Sequence, residues 1–97
     1  MPTYKVPAIA KAVATKISYQ FPTSPEGKIW CAVLTQCIYD LFVRGEYHGA
    51  VRHLNGEIPE AMICGVNNEW VRCVIKRSGL FDMARHNYLD RCKEAVK

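Results

Sequence analysis

Three histidines and five cysteines are the side chains with the widest chemical range in this 97-residue chain. Cys31, Cys37, Cys64, Cys73 and Cys92 form no Cys-x-x-Cys pair, and His48 and His53 stand five apart, off the i, i+4 spacing that sets two metal ligands on one helix face. That spacing argues against zinc. No carboxylate or thiol is tied to His48, His53 or His86 by a recognisable catalytic arrangement, and all three histidines fall at expected surface positions. His86 and Asp90 are one helical turn apart, which is the spacing of a surface pair. The expectation is a protein that is not an enzyme and holds neither metal nor cofactor. The cysteines are odd in number and four fall at helix-core spacings, so they read as reduced thiols acting as small hydrophobes.

The chemistry left is electrostatic. The formal net charge is +4, and its distribution says more than its size. Residues 1–28 hold Lys5, Lys11, Lys16 and Lys28 against Glu26, and residues 69–93 hold Arg72, Lys76, Arg77, Arg85, Arg91 and Lys93 against Glu69, Asp82 and Asp90, so each block is +3. Residues 46–68 between them come to −2. Basic blocks of this kind favour an acidic partner such as a nucleic acid backbone. No apolar run approaches the roughly 18 to 20 residues needed to span a bilayer, and the start lacks the order of a secretory signal. A cytoplasmic protein with no membrane partner is expected.

Positioning these charges requires a folded frame. The length fits a single domain, residues 1–97, and a composition that is 49% hydrophobic can bury a core. The N-terminal segment, residues 1–23, supports two periods. Ile9, Val13 and Ile17 recur as on a helix face, whereas Val13, Thr15, Ile17, Tyr19 and Phe21 alternate as in a strand. The alanines at 8, 10, 12 and 14 favour a helix from about Pro7 to Ser18. Ser24 as cap, Pro25 at the first helical position and Glu26 in the first turn open a second helix. Its apolar stripe of Trp30, Val33, Leu34, Cys37, Ile38, Leu41 and Phe42 runs to a stop at Arg44-Gly45. A helix near Glu46 to Leu54 should bury Tyr47, Ala50, Val51 and Leu54. Two more are expected at about Pro59 to Cys64 and Asn68 to Ser78, and a last one capped by Asp82 should pack through Arg85, Leu89, Cys92 and Val96. The fold class is all-α, a compact bundle of five or six short helices.

Within the stretch EAMICGVNNEWVRCVIKRSG, residues 60–79, Ala61 offers a small helix contact and Gly65 a turn position four residues later. Cys64 and Val66 flank the turn, and Val71 and Val74, assisted by Ile75, face inward on the second helix. This pattern resembles the helix-turn-helix family of DNA-binding proteins over about residues 57–78, with the helix-turn-helix itself at residues 59–78. The layout is also similar to small helical phage or mobile-element proteins. Glu60 departs from the family pattern, which has an apolar residue before the alanine, so Met62 and Ile63 are expected to supply that packing.

The resemblance implies a DNA contact set on the outward side of the second helix: Asn67, Asn68, Glu69, Arg72, Cys73, Lys76 and Arg77. Asn can pair with adenine and Arg with guanine, while Lys76 and Arg77 suit phosphates. Asn68 is also the expected N-cap, and Trp70 the expected packing residue. The implied partner is double-stranded DNA, bound by a homodimer acting in transcription regulation. The rival reading is a protein-protein interaction module, an inhibitor or adaptor, docking through exposed aromatics such as Tyr4, Tyr19, Phe21, Tyr39, Phe81 and Tyr88.

Overall fold

The computed structural model describes residues 6–96, without the side chains of Arg44 and residues 93–96, so Tyr4, Lys5 and the Val96 side chain lie outside the described residues. Six α-helices fill them: α1 Ala8–Ser18, α2 Pro25–Asp40, α3 Tyr47–Asn55, α4 Pro59–Ile63, α5 Asn68–Arg77 and α6 Leu80–Val96. The chain is all-α, and no helix among the described residues is long and apolar enough to cross a membrane. Its radius of gyration is 13.7 Å, as expected of a packed domain of this length.

In the N-terminal segment the helical period wins. Ala10, Val13, Ala14 and Ile17 are buried on one face of α1 while Thr15 and Tyr19 of the alternating set are exposed. The chain then turns through Phe21, itself buried, and α2 begins as its cap signals require: Ser24 Oγ accepts from Gly27 N–H at 3.2 Å and Pro25 fills the first helical position. Gly27 sits where the turn doubles back. A Cβ built there would lie 2.2 Å from the Pro22 carbonyl oxygen, so only glycine lets the two segments approach this closely.

α2 is the organising helix, packing against α1, α3 and α4 through Leu34 and Ile38. It ends at Asp40 rather than at Arg44. Leu41, Phe42 and Val43 instead donate to the carbonyls three residues back, and this tightening drives both Leu41 and Phe42 fully into the core. A single turn of 3-10 helix, Arg44–Glu46, leads into α3, which buries Ala50 and Leu54. Full burial of a leucine or phenylalanine is worth ~1.5–3 kcal/mol, so these adjacent side chains outweigh another turn of α2.

α6 also differs from expectation at its start. Ser78 Oγ accepts from Leu80 N–H at 3.2 Å and Gly79 has φ +78°, so the helix opens at Leu80 and Asp82 falls inside its first turn. The packed face differs as well. Leu80 and Ala84 are buried with Phe81 against them, whereas Arg85 and Leu89 point to solvent.

Candidate nucleic-acid interface

The segment from α4 to α5 is built from its turn outward. Val66 N–H donates to Ala61 C=O at 2.8 Å and Gly65 N–H to Met62 C=O at 3.2 Å, with Gly65 at φ +72°. This is a Schellman ending for α4, in which a left-handed glycine lets two orphan carbonyls find donors. The apolar contact that accompanies such an ending falls to Ala61 and Val66, both buried. The spacing Ala, three residues, Gly, apolar is therefore satisfied by a helix stop with a physical reason for each residue.

The two asparagines after the turn hold its other side. Asn67 Oδ1 accepts from Trp70 N–H at 3.0 Å and is the N-cap of α5, so the cap lies one residue before the expected Asn68. Asn68 is half-buried, and its Oδ1 accepts from Ile58 N–H at 2.7 Å, tying the start of α5 to the start of α4. The backbone leaves Asn67 extended, which is the cap conformation, and the next side chain is thereby aimed at Ile58.

On α5 the inward pair is Val71 and Ile75, both fully buried; Val74 is only partly so. Residues four apart lie one above the other on a helix, and that pairing suits a helix held between α6, α1 and α4 better than the expected spacing of three. Trp70 packs against the core as a partly buried side chain. Glu69, Cys73, Lys76 and Arg77 are exposed, as is Asn67. Arg72 is half-buried, with one guanidinium nitrogen 3.4 Å from the Asn55 carbonyl and the other 3.7 Å from Glu69 Oε1. Of the seven expected contact residues, Glu69, Cys73, Lys76 and Arg77 are thus open on one side of the helix, Asn67 is exposed at its cap, Arg72 is partly held, and Asn68 is committed to the turn.

Two expectations about α4 are overturned. Met62 and Ile63 do not supply core packing, being 52% and 60% exposed. Glu60, whose charge departs from the family pattern, is instead only 4% exposed, with Oε2 2.9 Å from His53 Nε2. A buried carboxylate needs such a partner, and the half-buried imidazole supplies it from α3. His53 is accordingly not a plain surface residue. His48 Nε2 likewise lies 3.1 Å from the Tyr88 hydroxyl, where Tyr88 stacks on Tyr47 with ring centroids 4.4 Å apart. Neither pairing has a local spacing signal, since seven and forty residues separate the partners.

Glu60 and His53 border a groove of about 410 Å³ that also includes Cys37, Asp40 and Glu46. Burial pushes the Cys37 thiol up to about 12, and the negative charges of Glu60 and Asp40 add to the effect. A thiol so shifted is protonated at neutral pH and is a poor nucleophile, so proximity to a histidine does not make a cysteine dyad here.

Comparison with protein-family models, with curated proteins and with solved structures gives no match.

Proposed function

We propose that the chain binds double-stranded DNA through α5, with α4 and the Gly65 turn acting as the first half of a helix-turn-helix. The observation that carries this reading is the division of α5 into two sides. Val71 and Ile75 lock one side into the core, while Lys76, Arg77, Cys73 and Glu69 stand together in solvent on the other. A helix fixed in this way can enter a major groove without rearrangement, its exposed cations neutralising phosphates and its exposed polar groups reaching base edges. Arg72, steadied by Asn55, is the guanine-reading candidate. A single module offers few base contacts, so the reading extends to a homodimer on paired half-sites, acting as a transcriptional regulator.

The test is duplex-DNA binding across a series of salt concentrations, comparing wild type with the Arg72→Ala, Lys76→Ala double variant. The reading expects binding that weakens steeply with salt and a shallower slope for the variant. A folded protein with no salt-dependent binding at micromolar concentration overturns it.

A protein-interaction module is the second reading, and exposed apolar side chains favour it. Ile29 and Val33 on α2 and Met62 and Ile63 on α4 are all open to solvent, on helices that pack against each other. A partner docking there would leave α5 free.

A further inference from the structure

A second groove, of about 380 Å³, runs between α1 and α5. Lys16 reaches it from the last turn of α1 and Arg77 from the end of α5, with Trp70 and Cys73 beside them. Val13 and Val74 supply its apolar part. The Ser78 hydroxyl also borders it, but donates to Ile75 C=O at 2.6 Å and accepts from Leu80 N–H, so it is already engaged. No carboxylate is among the described residues lining the groove. The two cations also sit at helix C-termini, whose partial negative charge is about half an elementary charge each and so offsets only part of theirs. The groove is left with positive potential and an apolar floor, adjoining the open side of α5.

We propose that this groove receives the sugar-phosphate backbone of the duplex whose major groove takes α5, with Lys16 and Arg77 neutralising phosphates of one strand. The proposal rests on the DNA reading of α5 and adds α1 to the interface. The pairing suits a phosphodiester: lysine acts as a compact point charge, arginine as a fork for phosphate oxygens, and the valines and indole give the deoxyribose an apolar surface. On this proposal a cation on α1 counts only if it lies on the groove side of the helix. Lys11 is five residues before Lys16, about 140° away around the helix, and does not line the groove.

The experiment is the salt dependence of duplex binding for wild type, Lys16→Ala, Arg77→Ala and Lys11→Ala, each checked for unchanged helicity. Lys16→Ala and Arg77→Ala should each weaken binding to every sequence and lower the salt slope by about 1 per bound subunit, whereas Lys11→Ala should leave the slope unchanged. Steep wild-type binding with an unaltered Lys16→Ala slope overturns the groove and leaves the α5 reading standing. Absence of duplex binding by wild type overturns both. Equal slope losses for Lys11→Ala and Lys16→Ala mean diffuse charge rather than a groove, and also overturn it. Saturable quenching of Trp70 by inorganic phosphate in a Trp30→Phe background, with unchanged DNA slopes, would assign the groove to a free anion instead.

Discussion

His53 Nε2 and Glu60 Oε2 lie 2.9 Å apart, and this contact joins α3 to α4 at the position where the helix-turn-helix pattern has an apolar residue. The carboxylate is buried and the imidazole half-buried, so the cost of separating them is mainly the carboxylate left without its partner. Replacing His53 by alanine should cost about 1–3 kcal/mol in denaturant unfolding. The double variant His53→Ala, Glu60→Leu should recover part of that loss, because an apolar side chain suits a buried position that no longer has a polar partner. A double variant whose loss equals or exceeds the sum of the two single losses would show that the pair is not coupled in this way.

Two glycines should respond very differently to alanine. At Gly65 nothing lies within 4 Å of an added Cβ, so the penalty is the backbone conformation alone, φ +72°, on the order of 1–2 kcal/mol. Gly65→Asn should cost less, since asparagine tolerates that region better. At Gly27 the added Cβ would meet the Pro22 carbonyl oxygen and carbon, and backbone cannot swing aside as a side chain can. Gly27→Ala should therefore be the more damaging, by ~1–3 kcal/mol of overpacking or by detachment of the α1–α2 turn. Thermal unfolding of the three variants orders them.

The thiols give a pH prediction. Cys37 is raised from its ordinary value of 9.0 to about 12 in the folded chain, chiefly by burial. Between those values the unfolded chain loses the proton that the folded chain keeps, so stability is intact below pH 9 and falls as pH climbs toward 12. The stability difference between wild type and Cys37→Ala should follow that course. Alkylation of the native protein at pH 8 should mark exposed Cys73 well before Cys37 or Cys31, whose thiol burial also raises. Mass mapping of the modified peptides reads the order directly.

What the sequence made legible was local. The Ser24-Pro25 start, the Gly65 turn and the stop at Gly79 each depend on backbone geometry within a few residues, and each is where the residue types place it. α2 stops early because Leu41 and Phe42 meet a core assembled from other helices, which periodicity along α2 cannot register. The same limit applies to the groove between α1 and α5, where a lysine on α1 could be read as a backbone contact but not matched to its partner on α5. Lys16 and Arg77 are sixty-one residues apart in the chain, and only the packing of α1 on α5 brings them to one groove. Glu60 shows the converse, a charged residue at an apolar position that becomes interpretable only with its partner from α3 in view.

Asn67 and Asn68 allow recognition to be separated from folding. Both were expected to contact DNA, yet Asn67 caps α5 and Asn68 holds Ile58 N–H, so each oxygen has a structural task in the free protein. Asn67→Ala should cost about 1 kcal/mol as a lost cap. Asn68→Ala strips the acceptor from a partly buried backbone N–H and should cost ~1–3 kcal/mol. Aspartate at 67 should restore the cap, because its carboxylate oxygen can accept from Trp70 N–H and its charge suits a helix start. The same aspartate presents a negative charge and no amide donor on the exposed side, which a DNA strand would resist. The decisive comparison is Asn67→Asp against Lys76→Ala: both should unfold near the wild-type midpoint and both should bind duplex DNA less well. If Asn67→Asp binds as wild type does, Asn67 is a cap and nothing more, and on the proposed DNA reading the contact surface of α5 begins at Glu69.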